Sequence, residues 1–218
     1  MRAAKPLRDA GMLAALLIML AAPASPALAQ ATAPAENLVD ALAGLETAPE
    51  LELAALRQQA LERAKSKATA APLNRPPLVP ELLKLPQISV DVLFDPDSSV
   101  IRPGSYRTLG RIAEALTHPA LLPYKFLIVG HTESAGRRDH NVTVSQKRAD
   151  AIRDALVTMF KLSPKRVQAL GLGEEQLRDA ARAAAATNRR IQIVTVGKTS
   201  EPSESTAPAP AKKPPSRK

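Results

Sequence analysis

Residues 124–130, YKFLIVG, are apolar at nearly every position. A strand with one wet face alternates apolar and polar side chains, so an unbroken run of this kind belongs in the middle of a sheet. Upstream, residues 88–94 (ISVDVLF) do alternate, with Ile88, Val90, Val92 and Phe94 on one face, until Asp95-Pro96-Asp97 breaks the pattern. From Pro103 the spacing of Tyr106, Leu109, Ile112, Ala113 and Leu116 marks one stripe of a helix, with the proline tolerated in its first turn. Thr143 and Gln146 have capping-box spacing ahead of a second helix, whose buried face would be Ile152, Ala155, Leu156, Met159 and Phe160 and which Ser163-Pro164 would end. Residues 167–172 and 191–196 supply two more short strands, separated by an alanine-rich segment expected to be helical. The order β-α-β-α-β-(α)-β implies an α+β fold: a small mixed sheet of about four strands with two main helices packed on one face.

The flanks are of another kind. Residues 1–11 carry Arg2, Lys5 and Arg8 against Asp9, residues 12–22 are an almost unbroken apolar run, and Ala27-Leu28-Ala29 precedes Gln30. This is the order of a secretory signal over residues 1–29, its apolar core shorter than the roughly 20 residues a spanning helix needs. Removing it takes the formal net charge from +9 to +7, so the exported chain stays basic. Retained instead, it would anchor the chain, and only then would membrane contact be expected. Cysteine is absent, which excludes disulfides, thiolate metal sites and a lipid-modified cysteine. Residues 30–86 read as an alanine- and proline-rich linker holding one helix near 49–67, either solvated or docked on an envelope partner. Prolines 72, 76, 77, 80 and 86 then suggest a stiff extended spacer. Residues 87–197 form the periodic domain, and the basic Ser/Pro/Ala-rich tail 198–218 is expected to be disordered.

Within the domain, residues 130–149 (GHTESAGRRDHNVTVSQKRA) put Glu133 fifteen positions before Arg148, in a loop that feeds a helix. One carboxylate and one planar cation a few ångströms apart suit a zwitterionic amino-acid centre, since the arginine fork can hold a carboxylate bidentately. Arg148 near the start of its helix would oppose the macrodipole, which suggests an anion arriving from outside, and the Gly136 turn would add backbone donors. The same two residues could instead pair with each other and simply close the loop.

Phe94-Asp95 followed by Ser98, Gly130-His131-Thr132 with Glu133, Gly136, Asn141, Ser145 with Arg148-Ala149, Gly171 with Gly173, and Asn188-Arg189-Arg190 occur in that order. Together they resemble the OmpA C-terminal-like domain, shared by peptidoglycan-associated lipoproteins and flagellar stator proteins. The resemblance implies non-covalent binding of peptidoglycan through the diaminopimelate of its stem peptide, in a periplasmic protein associated with the cell wall and outer membrane. It gives Glu133 to the ligand's ammonium and Arg148 to its carboxylate, with Asn141, Arg189, Asp97 and Thr132 around them. Glu133 departs from the family's usual aspartate by one methylene, Val144 stands where leucine is usual, and residues 174–187 lack the family's proline. The alternative is an envelope protein-interaction module with a degraded pocket.

Other classes fit less well. His131, Glu133 and His140 do not form H-E-x-x-H or another metal spacing and have no nucleophile beside them, so neither an enzyme, a metal nor a cofactor is expected. Two tyrosines and three phenylalanines are too few for base stacking, and an exported basic chain meets anionic wall rather than nucleic acid.

Overall fold

The computed structural model describes residues 35–66 and 75–199, so the expected signal at 1–29, Pro72 of the spacer and the tail from 200 onward lie outside the described residues. The elements are α1 (Ala35–Leu42), α2 (Leu53–Lys65), β1 (Gln87–Val90), α3 (Tyr106–Thr117), β2 (Tyr124–His131), α4 (Arg138–Thr158), β3 (Val167–Gly173) and β4 (Arg190–Lys198). The sheet order is β1-β4-β2-β3, with β2 parallel to β3 and antiparallel to β4, and β1 antiparallel to β4. This is the expected mixed four-stranded α+β sheet, with the apolar run 124–130 inside it.

The strand period of two sorts the core. Phe126 and Ile128 of β2 face one way, joined by Ile88, Val90, Ala169, Ile191 and Ile193, and α3 and α4 cover them with Leu109, Ile112, Leu116, Ile152 and Leu156. Met159, expected on that stripe, lies past the last turn of α4 and is exposed. Leu127 and Val129 face the other way with Leu170, Leu172 and Val194, and there Ala60 and Ala64 of α2 cover them. The helix expected near 49–67 is therefore not solvated. Alanines one turn apart let it approach the sheet closely, and a strand apolar on both faces needs that cover. Val79 and Leu82, the latter in a 3-10 turn at Pro80–Lys84, join the same cluster, so this part of the proline-rich stretch is packed rather than an extended spacer. On the first face, α1 buries Leu38, Val39 and Leu42.

Edge strand β3 is shielded by side chains. Arg153 Nε donates to the Val167 carbonyl at 3.0 Å and Arg57 Nη2 of α2 to that of Ala169 at 2.6 Å. Gln146 Oε1 accepts from Gly171 N at 2.7 Å and Ser145 Oγ from Gly173 N at 2.8 Å. An edge whose amides and carbonyls are occupied cannot template another strand. Arg57→Met should lower stability by about 1–2 kcal/mol by leaving the Ala169 carbonyl without this donor. Urea denaturation reads this, and an unchanged midpoint would mean that α2 does not hold the edge.

Three local expectations differ. The strand expected over 88–94 ends at Val90, and Phe94 makes only an isolated bridge to Ile101. Helix α4 starts at Arg138, so Thr143 and Gln146 do not cap it: Thr143 Oγ1 donates to the Asp139 carbonyl, and Gln146 serves β3. The alanine-rich segment after β3 forms turns and one 3-10 turn, Ala186–Asn188, rather than a helix. Buried Asn188 explains this, since its Nδ2 donates to the carbonyls of Asp179, Arg182 and Ala183, each at 3.1 Å, while its Oδ1 accepts from Asp179 N at 2.9 Å. Such local bonds compete with the helical pattern.

Candidate functional site

The C-terminal end of β2, the first turns of α4, the 91–97 segment and the loop before β4 meet around a cavity of about 930 Å³. All six residues expected at the site line it: Asp97, Thr132, Glu133, Asn141, Arg148 and Arg189. Gly130 and Gly171 set the approach of α4, because a Cβ on either would run into the helix backbone at Ser145 or Gln146. The helix therefore lies directly on β2 and β3 and carries Asn141, Val144 and Arg148 along the cavity.

Arg148 lies in the third turn of α4 rather than near its start. The macrodipole falls off within the first turn, so it does not explain this cation. Its placement comes from the 94–98 segment. Nε donates to the Ser98 carbonyl at 2.9 Å, and the guanidinium carbon sits 5.0 Å from the centre of the Phe94 ring. The two terminal nitrogens have no hydrogen-bond or ion-pair partner among the described residues. Burial, then the nearby charge of Arg189, lower the Arg148 pKa, with Asp97 and Glu133 opposing that shift. The result is a braced, half-buried fork with its donor edge open.

Glu133 does not pair with Arg148. Its two carboxylate oxygens lie 3.0 and 2.9 Å from Arg189 Nη1, across the cavity. The loop-closing alternative is thus replaced by an outer Glu133–Arg189 pair beside an inner arginine without an acid. Asp97 stands at the rim with φ of 49°, a conformation asparagine and aspartate tolerate better than most residues, and its Oδ1 is 2.6 Å from His140 Nε2. Thr132 is buried and its Oγ1 has no hydrogen-bond partner among the described residues.

Asn141, expected in a loop, is in the first turn of α4 and works as a brace. Its Nδ2 donates to Glu174 Oε2 at 2.8 Å, to the Ala135 carbonyl at 3.0 Å and to that of Glu133 at 3.4 Å, fixing the loop that carries Glu133. Sequence reasoning missed the other half of this brace. Glu174 also accepts from Ser134 Oγ at 2.9 Å and pairs with Arg75 at 3.3 Å, while Glu175 pairs with Arg138 at 2.7 Å and with Arg63 of α2 at 3.2 Å. The only signal for it was a pair of adjacent acids after the glycines. Phe94 and His140 were likewise not among the expected site residues, although Phe94 stands within the motif.

His131 is buried on the cavity wall with Nε2 against Gln192 Oε1 and with no hydrogen-bond partner for Nδ1 among the described residues. Burial first, and the charge of Arg190 second, hold its pKa well below 6.5, against the raising effect of the Gln192 bond. The folded form therefore keeps His131 neutral where the unfolded chain would take up a proton. Stability from this residue is present above pH 6.5 and is lost as pH falls below it, by up to about 1.4 kcal/mol per pH unit. Urea denaturation at pH 7.5 and 5.5 should show a steeper loss for the parent than for His131→Gln, and equal losses would contradict this assignment.

No group of three or more His, Cys, Asp and Glu among the described residues is placed to hold a metal ion, and no described helix is long and apolar enough to cross a membrane.

The sequence pattern of the OmpA family matches residues 93–202. Outer membrane porin F of Pseudomonas fluorescens is 35% identical over 109 residues, 49% of this chain and 32% of that protein. The peptidoglycan-associated lipoprotein of Mesorhizobium japonicum is 34% identical over 85 residues, 39% of this chain and 49% of that one. The chain thus spans about a third to a half of the length of these curated relatives. Among solved structures, the peptidoglycan-associated lipoprotein from Burkholderia pseudomallei is 32% identical and covers 57% of this chain and 98% of that one, with a TM-score of 0.40.

Proposed function

The chain belongs to the OmpA family, and on that footing we propose that it is a non-catalytic cell-envelope protein that binds peptidoglycan non-covalently, taking the diaminopimelate of the stem peptide into the 930 Å³ cavity. The observation that carries the reading is the Arg148 fork, braced by Ser98 and Phe94 and left without an acid. A half-buried cation with its donor edge open favours an incoming carboxylate, and the fork matches that group's geometry. Glu133 takes the ligand's ammonium on the side away from Arg189, which holds the longer glutamate side chain in place. Thr132 Oγ1 offers a further polar contact, and Asp97 lies at the mouth. The relatives named peptidoglycan-associated lipoprotein support the same partner, and with it a place in the periplasm at the wall and outer membrane.

The interaction-module alternative needs apolar side chains of the 49–67 helix on the surface. Leu53, Leu56 and Leu61 instead pack toward the second core cluster, which leaves that alternative with less to offer a partner.

Co-sedimentation with purified diaminopimelate-containing sacculi tests the proposal. The parent chain should pellet, while Glu133→Ala and Arg148→Ala should stay in the supernatant. Pelleting unchanged by either substitution would remove the pocket assignment, and a parent that does not pellet would remove the function.

A further inference from the structure

Arg190 has an environment unlike that of the other buried arginines. It is 7% exposed, and its acceptors are three neutral oxygens at the long end of hydrogen bonding: the Gln176 carbonyl at 3.2 Å, the Asn188 carbonyl at 3.4 Å and Gln192 Oε1 at 3.4 Å. Arg75 and Arg138 answer Glu174 and Glu175. Half-buried Arg166, which also has no acid partner among the described residues, reaches three carbonyls at 2.7 to 3.0 Å and covers the Phe126 ring. Arg190 has neither compensation. The charge that acts on it is another cation, exposed Arg178, which has no hydrogen-bond or ion-pair partner among the described residues. Burial, then repulsion from Arg178, draw the Arg190 guanidinium down to about 10. A buried charge without a counter-charge costs several kcal/mol, so a fold that keeps one usually has an anion to meet it.

Both arginines line the main cavity and also a second one of about 440 Å³, walled by Gln87, Ser89, Gln176 and Gln192. Gln176 is 6% exposed and its Oε1 has no partner among the described residues. Turned over, that amide presents an N–H to the same space. Of the acids lining the two cavities, Glu174 and Glu175 are matched by Arg63, Arg75 and Arg138, Glu133 by Arg189 and Asp95 by Arg102. Asp97 lies against His140, and Asp91 is not among the charges that act on Arg190. The charges that act on Arg148 are those of Arg189, Asp97 and Glu133, whereas the one that acts on Arg190 is Arg178. The cavity system thus holds two separate cation centres, and the zwitterion occupies only one.

We propose that Arg190 and Arg178, at the wall shared by the two cavities, form a second anion subsite that takes a carboxylate of the bound peptide other than the one held by Arg148. The ligand class is then a peptide with two carboxylates, the zwitterionic centre at Glu133 and Arg148 and a further free acid. This rests on the peptidoglycan reading for the identity of the peptide only.

The test separates the two. In the full-length chain carrying Arg148→Ala, acetate at constant ionic strength should raise the thermal midpoint, and adding Arg178→Gln should abolish that protection. In the parent chain, amidating the carboxylates of a soluble diaminopimelate stem peptide outside the zwitterionic centre should weaken calorimetric binding at least about tenfold. Arg178→Gln should weaken the free-acid peptide alone. No acetate protection in Arg148→Ala overturns the subsite whether or not the peptide binds. Acetate protection in a chain that binds no stem peptide retains the subsite and overturns the peptidoglycan reading. Protection by inorganic phosphate but not acetate overturns the carboxylate assignment in favour of a phosphate-bearing group.

Discussion

Gly171→Ala should destabilise the protein by about 3 kcal/mol or more, and Gly130→Ala by a similar amount. A Cβ on Gly171 would stand 2.5 Å from Gln146 Cα and 2.8 Å from its Cβ, and one on Gly130 would press on the Ser145 backbone. The obstacle in both cases is the middle of a 21-residue helix, which cannot give way as a flexible side-chain tip would. Moving α4 outward would open the core at Ile152 and Leu156 and withdraw Ser145 and Gln146 from the edge of β3. Gly104→Ala is the control: a Cβ there meets nothing within 4 Å, and its expected cost is within about 0.5 kcal/mol. Thermal and urea denaturation of the three variants check this, and equal losses at all three would refute the close approach of helix to sheet.

Arg148→Ala should lower affinity for a diaminopimelate stem peptide about a hundredfold while leaving the fold intact. Removing one partner of a desolvated, hydrogen-bonded charge pair typically costs 2–5 kcal/mol, and a hundredfold loss is about 2.7 kcal/mol. The fold should survive because the guanidinium makes one hydrogen bond, to the Ser98 carbonyl, and otherwise faces Phe94 and the cavity. Arg148→Lys separates charge from geometry. An ammonium keeps the charge but has no planar fork to stack on Phe94 while bonding Ser98 and gripping a carboxylate bidentately. Lysine should therefore recover only a small part of the loss. Calorimetric titration reads both variants, with circular dichroism confirming that they are folded.

The sheet was legible in the sequence because alternation marks β1 and an unbroken apolar run marks β2 as a central strand. Residues 124–130 also carried a further signal. Leu127 and Val129 are as apolar as Phe126 and Ile128, which requires cover on both faces, yet the helix that supplies it lies in an alanine- and proline-rich stretch with no strong amphipathic stripe. Ala60 and Ala64 work through smallness, and smallness looks like linker composition. The start of α4 was misplaced because Thr143 and Gln146 fit a capping box, while the actual first turn follows Arg137 without any side-chain cap. The alanine run after β3 has high helix propensity, but the four bonds of Asn188 decide its shape, and they depend on residues five to nine positions away. The site residues came together because motif order encodes their meeting point in this fold. The exchange of partners within the site did not show in the sequence, since whether Glu133 reaches Arg148 or Arg189 depends on where the loop before β4 returns.

In the proposed function the open Arg148 fork awaits a ligand carboxylate beside the Glu133 anion. Two soluble stem peptides that differ at one residue test it most directly, one carrying diaminopimelate and the other lysine, which keeps the ammonium and lacks that carboxylate. Isothermal titration of the parent chain should give at least about a hundredfold tighter binding for the diaminopimelate peptide, and this preference should vanish in Arg148→Ala. Equal affinity of the parent for the two peptides would contradict the account.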